Sequence, residues 1–517
     1  MTRKADLAMS LIKFSNLFIC GLLCLIFLFL SIASIYSTSV LDPHHFLEEH
    51  ILYVHDHVII NILIIAAIIF LLKLFNQYVQ HINTRTATLV LIVFTTLIGA
   101  IWIISVKSIP ASDSGTIVKS AMAFIKGDYS LLQSADSYFR YYPFQLGFTF
   151  ICELLMGIFG TENYVALGIV NLICLDAAYI ALIQMARLIF NNKEIELLTI
   201  FLLAGCLQPL LLCTFVYGNI IGLAFSMWAV VFEIIYIKTG KKYIMLWAAV
   251  FIAVAITAKF NYLIVLVAMC IILFLHGFKT LQWFNLISVV CVAALTFGFN
   301  HLIISSYESR ADTELGDGAP QILWAAMGLQ ESPRAPGWYN GYTLDTYKNN
   351  DFDKDSAAQQ ARQDIAERLT FFSANPHYAL TFFANKVLSQ WNEPTYECIW
   401  VSQIKKHMTP VPSFVDSIYT GQLGQYLNYY FNIYQQIIMI GFFFALVSRL
   451  KRPNLSFTFL PLVILGGFLY HLLNEAKSQY ILIYFVMLVP YAAYGLSAIA
   501  DAKYCDLRSF LPQQIDK

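Results

Sequence analysis

Apolar runs of helix-spanning length, separated by short polar turns, recur along almost the whole chain. They lie near 11–36, 57–75, 86–106, 143–159, 163–189, 195–215, 217–237, 241–258, 260–276, 281–305, 427–447, 456–473 and 477–498. Each approaches the roughly 20 residues that a helix needs to cross the hydrocarbon of a bilayer. The pattern predicts an all-α polytopic membrane protein, a bundle of about 12–13 transmembrane helices. The first run begins after Arg3 and Lys4 and lacks a small-residue cleavage site, so a retained span is expected rather than a signal peptide.

Two polar interruptions break the pattern. The first, 107–142, carries Ser112-Asp113-Ser114-Gly115 directly after an apolar run and ends on Tyr138-Phe139-Arg140-Tyr141-Tyr142-Pro143. Between them Ile117, Ala121, Phe124 and Ile125 recur at helical spacing with Lys119 and Lys126 off the stripe, which predicts a short helix lying in the interface. A carboxylate at a membrane exit is expensive unless partners hold it or chemistry needs it. The second interruption, 306–426, is the one sizeable element outside the apolar runs. Pro336-Gly337 and Gly341 mark tight turns around Trp338, Tyr339 and Asn340. Ala357, Ala361, Ile365 and Leu369 predict a polar-faced helix over 356–372, broken at Asn375-Pro376 and resumed as an amphipathic helix over 377–391. The organisation is thus an amino-terminal helix pair (1–85), a membrane core with the external loop 107–142 (86–305), an extracellular loop region (306–426), and carboxy-terminal helices with a short cytoplasmic tail (427–517).

Composition agrees: of 517 residues, 59% are hydrophobic and 12% charged, with mean hydropathy +0.66, well outside the range of soluble proteins. Formal charge is zero, which gives no footing for nucleic-acid binding. Positive residues at Arg3/Lys4, Lys238/Lys241/Lys242 and Arg449/Lys451/Arg452 mark a cytoplasmic side and put 306–426 and the turn at 474–477 outside. Counting from the amino terminus also puts Asp113 outside. Yet seven apparent spans separate the two loops, an odd number, so one segment between 143 and 305 is expected to be a half-span, a re-entrant turn or wrongly divided.

Most cysteines fall inside apolar runs, where they act as small hydrophobes; Cys398 and Cys505 lie outside them, and no disulfide or zinc spacing occurs. Asp42, His44, His45, Glu48, Glu49, His50, His55, Asp56 and His57 crowd the first loop, but their spacing fits no catalytic metal motif. No metal or other cofactor is predicted. No GxxxxGK or GxGxxG loop follows a strand, which argues against an ATP-driven mechanism.

In order along the chain, Ala111-Ser112-Asp113, Tyr142-Pro143-Phe144-Gln145-Leu146-Gly147, Phe159-Gly160, Gln390-Trp391-Asn392-Glu393-Pro394-Thr395 and Glu475-Ala476-Lys477-Ser478-Gln479-Tyr480 resemble the motifs of the GT-C superfamily of glycosyltransferases. That superfamily includes protein O-mannosyltransferases and the bacterial aminoarabinose transferase of lipid A. The resemblance spans most of 86–498. It departs at Ser114, where a second acid often stands, and at Gln479, where an arginine often precedes the tyrosine. It implies a bacterial cell-membrane enzyme whose active site faces outward. The implied reaction is inverting transfer of a sugar from a polyprenyl-phosphate donor to an acceptor: an envelope polysaccharide, teichoic acid, lipid or protein. Under this reading Asp113 is the general base. Arg140, Lys259 and Lys477, with the hydroxyls of Tyr142 and Tyr480, hold the donor phosphate. Trp338, Asn340 and Glu475 face the acceptor.

Each residue also has a plainer reading. Asp113 would serve as an N-cap for the helix that follows, Arg140 as an interfacial anchor, and Lys259 as a snorkelling cation. Glu475 and Lys477 would pair in a solvated turn, and Trp338, Tyr339 and Asn340 would form a loop core. The alternative function is a transporter or flippase of a lipid-linked substrate, which predicts paired intramembrane charges and repeated halves. Glu153, Asp176 and Glu233 are the main charges inside the runs, and no repeat is visible.

Overall fold

Nine helices among the described residues are long and apolar enough to cross a membrane: Met9–Tyr36, Thr84–Val106, Tyr164–Phe190, Asn219–Thr239, Phe260–Thr280, Trp283–Ala311, Gln422–Arg449, Leu455–Leu473 and Ser478–Ala500. A further pair, Lys193–Gly205 and Gln208–Thr214, is bent by 45°, and Val58–Leu74, Pro143–Phe159 and Tyr243–Ala258 are shorter apolar helices. The computed structural model describes residues 2–43, 48–134, 137–280 and 282–500. His44, His45, Cys505 and the tail 501–517 lie outside the described residues. The chain is an all-α polytopic membrane protein. Its one sheet among the described residues is a hairpin, Ser37–Leu41 with Ile51–His55, which the apolar pattern did not announce.

Local sequence sets the helix starts. The side chains of Asn83, Asn163, Asn192 and Asn454 accept backbone N–H groups of Arg85 and Thr86, Ala166, Glu194 and Phe457, satisfying amides that the first helical turn leaves open. The tightest pairing joins Gln422–Arg449 to Ser478–Ala500. A Cβ on Gly495 would lie 1.8 Å from the Gly441 carbonyl oxygen, so glycine alone permits that approach. Met9–Tyr36 packs on Gln422–Arg449 through Phe27, whose ring lies 4.6 Å from Phe442 and also 5.9 Å from Trp391 of the loop region.

The odd span count resolves at 143–159. Tyr164–Phe190 runs antiparallel to Thr84–Val106: a Cβ on Gly168 would touch Ile103, one on Gly99 would touch Leu172, and Asp176 accepts from Thr95 and Thr96. Its first turn therefore stands at the same end as Val106. The helix Leu146–Phe159 begins beside Thr257 and packs Phe148, Cys152 and Met156 against Ile117, Val118, Ala121 and Leu167. Both its ends lie at that same end, and at 14 residues it is about 21 Å long, too short for a 30 Å core. It lies alongside the amphipathic helix Ser112–Ile125 instead of crossing. The segments that follow to Ala311 all connect the two ends, so 107–142 and 306–426 meet at one end of the bundle.

The same end carries the hairpin, which bonds to Asn392 and Arg334 through Ser39 N–H and Ile51 N–H. Lys238, Arg449 and Arg452 sit at the other end, where Lys238 bonds the Leu188 carbonyl and Asn16 bonds those of Arg449 and Leu450. Within the large loop region the polar helix is Lys354–Ala374 and the amphipathic one Pro376–Trp391, divided at Asn375 as expected. The latter docks on the bundle, with Lys386, Ser389, Gln390 and Trp391 all buried.

Candidate functional site

At the loop-bearing end lies a cavity of about 660 Å³. Asp113 enters it from the second position of Ser112–Ile125. That helix has Ala111 at its N-cap with no side-chain cap bond, so Asp113 is not the cap. Ser112 before it holds φ 52°, a left-handed backbone that a non-glycine residue adopts at a cost. The Asp113 carboxylate turns into the cavity and accepts the hydroxyl of Tyr217 at 3.0 Å; Gln145 Nε2 donates to the same phenolic oxygen at 2.8 Å. The Lys259 ammonium lies 3.5 Å from the Tyr217 ring centroid and 5.9 Å from that of Tyr480, a cation–π arrangement. Burial lowers Lys259 to about 7, with the Asp113 charge opposing that fall.

Backbone geometry fixes this trio. Gly218 holds φ 77°, and a Cβ there would come within 2.0 Å of the Ala258 carbonyl oxygen. The turn bearing Tyr217 thus presses directly on the turn bearing Lys259, and any side chain at 218 would part them.

A second network ties three loops together. Glu49, from the first loop, receives Lys477 Nζ at 2.5 Å on one oxygen and Arg334 Nη1 at 2.6 Å on the other. Lys477 also reaches Glu397 at 3.3 Å, and Glu397 accepts the Ser478 hydroxyl at 3.0 Å. Burial alone would lower Lys477, but Glu397 and Glu49 outweigh it and hold the ammonium above its ordinary value. Glu397 and Tyr396 both have positive φ, 58° and 48°; Glu393 holds that turn by accepting the N–H groups of Thr395 and Glu397, each at 2.9 Å. Glu475 lines the cavity beside this network. Burial, with Asp113 and Glu49 adding to it against the pull of Lys477, pushes its carboxyl up to about 7.

Of the residues expected from sequence, the cavity gathers Asp113, Tyr142, Lys259, Glu475, Lys477 and Tyr480. Three stand elsewhere. Arg140 lines a separate 320 Å³ cavity with Glu314, Asp317 and Lys354. Trp338 is buried in the loop, its indole N–H donating to Ser389 at 2.8 Å. Asn340 is bonded to Gln330 at 3.0 Å and to the Glu331 carbonyl. Trp338 and Asn340 are loop core: Trp338 bridges to Ala476 and so fixes the 474–477 turn, and Tyr339 between them faces the cavity instead. Lys477 lines the cavity but is already paired with two carboxylates, so it is a clamp between loops more than an open cation.

The cavity also contains residues that the sequence did not assign to it: Glu49, Gln145, Tyr217, Trp324, Arg334 and Lys405. Tyr138, Tyr142 and Trp324 form a continuous aromatic wall with successive centroids 5.0 and 5.8 Å apart. Lys405 is placed by pairing of 107–109 with 406–408, where Ile109 N–H bonds the Lys406 carbonyl and Met408 N–H that of Lys107. It is 8% exposed, whereas its neighbour Lys406 is open to solvent. In Ile404-Lys405-Lys406-His407 the two lysines read alike; the only hint was the apolar flank Trp400-Val401 and Ile404 on one side. A search of protein-family models gives no match to this chain, and neither does a search of curated proteins.

Proposed function

We propose that the protein is a GT-C-like membrane glycosyltransferase that moves a sugar from a polyprenyl-phosphate-linked donor to an acceptor on the outer face of the cell membrane. The observation that carries the reading is the Asp113 carboxylate, bonded by Tyr217 and set beside the Lys259 ammonium on the face of that same ring, in a cavity at one end of a membrane bundle. Asp113 takes the proton of the acceptor hydroxyl as that oxygen attacks the anomeric carbon. Lys259 offsets the charge of the departing phosphate, and Tyr480 and Tyr142 complete its surroundings. The aromatic wall of Tyr138, Tyr142 and Trp324 suits the apolar face of a sugar ring.

Facing outward is supported by the lysine and arginine clusters at the opposite end of the bundle. Lipid access is supported by the membrane helices whose ends form the cavity floor. The transporter alternative would rely on intramembrane charge; Asp176 is held by the Thr95 and Thr96 hydroxyls, Glu233 is fully buried, and neither lines the cavity. The experiment is transfer from a radiolabelled polyprenyl-phosphate sugar by purified protein, wild type against Asp113→Asn. Transfer that ignores the substitution would overturn the assignment of the base.

A further inference from the structure

The 320 Å³ cavity beside Arg140 takes no part in the transfer described above. Two aromatic rings, Tyr347 and Phe352, line it together with Arg140, Glu314, Asp317 and Lys354. Arg140 Nε is buried with no hydrogen-bond partner among the described residues. Asp317 is bonded to Lys354 instead, at 2.6 Å. Tyr347 is buried too. Burial raises its phenol, and the charges of Lys354, Asp353, Asp317 and Arg140 all reach it.

The backbone holds this wall at a cost. Asp351, at φ 53°, follows the helix Tyr342–Asn349 in the left-handed conformation usual at a helix end. Phe352 comes next at φ 60°, where a bulky side chain is an outlier. Among the described residues, the other consecutive non-glycine pair with positive φ is Tyr396 and Glu397, which holds the Lys477 clamp of the main cavity. Strain of this kind gathers at functional sites.

One residue joins the two cavities. Tyr141 lines the main cavity, and its ring centroid stands 6.0 Å from Tyr142, 5.9 Å from Tyr347 and 5.5 Å from Phe352. Its carbonyl accepts Ala319 N–H at 3.0 Å, which fixes the partition. The aromatic wall of Tyr138, Tyr142 and Trp324 thus continues through Tyr141 into the second cavity.

The lining bears on the ligand. Arg140 and Lys354 balance Glu314 and Asp317, so the cavity offers no net charge to an ion. Hydrogen-bonding side chains of both kinds set around two rings suit a sugar, whose hydroxyls both donate and accept and whose C–H face lies on an aromatic ring. We propose that the second cavity holds a further sugar residue of the acceptor, next to the one that is glycosylated, so that the acceptor presents a glycan of two or more units. The proposal rests on the main cavity as the transfer site and names the acceptor class.

The test is equilibrium binding of neutral glucose, mannose, galactose and N-acetylglucosamine oligomers, from monosaccharide to tetrasaccharide, to full-length protein in matched detergent without donor. In at least one series, affinity is expected to rise about 10-fold or more beyond the monosaccharide, the contribution of one hydrogen bond to a charged group. Arg140→Gln is expected to remove most of that gain, and Tyr347→Phe, which deletes only a hydroxyl, part of it, with unfolding midpoints close to wild type. No gain with length in any series, or a gain that survives intact in both variants, would overturn the proposal. Because no donor is present, either result leaves sugar transfer itself to be judged by Asp113→Asn.

Discussion

Tyr217 donates its phenolic hydrogen to Asp113 at 3.0 Å across 104 residues of chain. The same ring carries Lys259 on its face, so a single side chain sets the distance between the acid and the cation. Tyr217→Phe keeps the ring and removes only the hydroxyl. One hydrogen bond to a charged group is worth about 1.5–3 kcal/mol, so a fall in kcat of about 10-fold or more is expected with donor affinity close to wild type. Steady-state kinetics at several donor concentrations check it.

Lys259 stands near 7 through burial. Its folded-state value is depressed from that of a free lysine, so it charges only as pH falls through about 7. A bound anion favours the charged form, and the complex therefore holds more protons than the free protein. Donor affinity is expected to be highest below pH 7 and to fall by about tenfold per pH unit above it. Lys259→Arg, whose guanidinium stays charged, should flatten part of this profile between pH 7 and 9.

The Glu49–Lys477 contact predicts stability, not chemistry. Lys477→Met leaves Glu397 buried without its cation and Glu49 with Arg334 alone. Breaking a buried pair by removing one partner costs about 3–5 kcal/mol. A clear drop in the thermal unfolding midpoint in detergent is expected, larger than that for Lys406→Met, which alters an exposed residue.

Membrane sidedness tests the packing of 143–159 along the interface. Ser130 and Ser356 are exposed at the cavity end, and Thr239 is exposed at the other. Single cysteines at 130 and 356, in a background without reactive thiols, are expected to react with an impermeant maleimide from one side of sealed vesicles, and a cysteine at 239 from the other. Opposite labelling of 130 and 356 would mean that Leu146–Phe159 crosses after all.

Helix positions were legible because burial in lipid imposes long apolar runs; the asparagine caps at Asn83 and Asn454 emerged only with the structure. Hydropathy could not tell that 143–159 does not cross, since a helix lying in the interface and a short span share one composition; its contacts with Ile117 and Ala121 decide. Asp113 stood out because a charge at a span boundary is costly, whereas Lys259 and Glu475 were singled out through the family resemblance. Tyr217, Lys405 and Glu49 did not, because each reaches the cavity through pairing between distant loops. Trp338 and Asn340 looked like a sugar platform because aromatic and amide groups serve loop cores and ligand sites equally well.

The central claim is that Asp113 accepts a proton during sugar transfer. Asp113→Asn preserves size and the place of the side chain beside Tyr217 but removes the basic oxygen. Single-turnover transfer from a polyprenyl-linked sugar donor by purified Asp113→Asn should be slower by about 10²–10⁴-fold, with donor binding and the unfolding midpoint close to wild type. A variant that binds donor and transfers sugar at the wild-type rate would contradict the account.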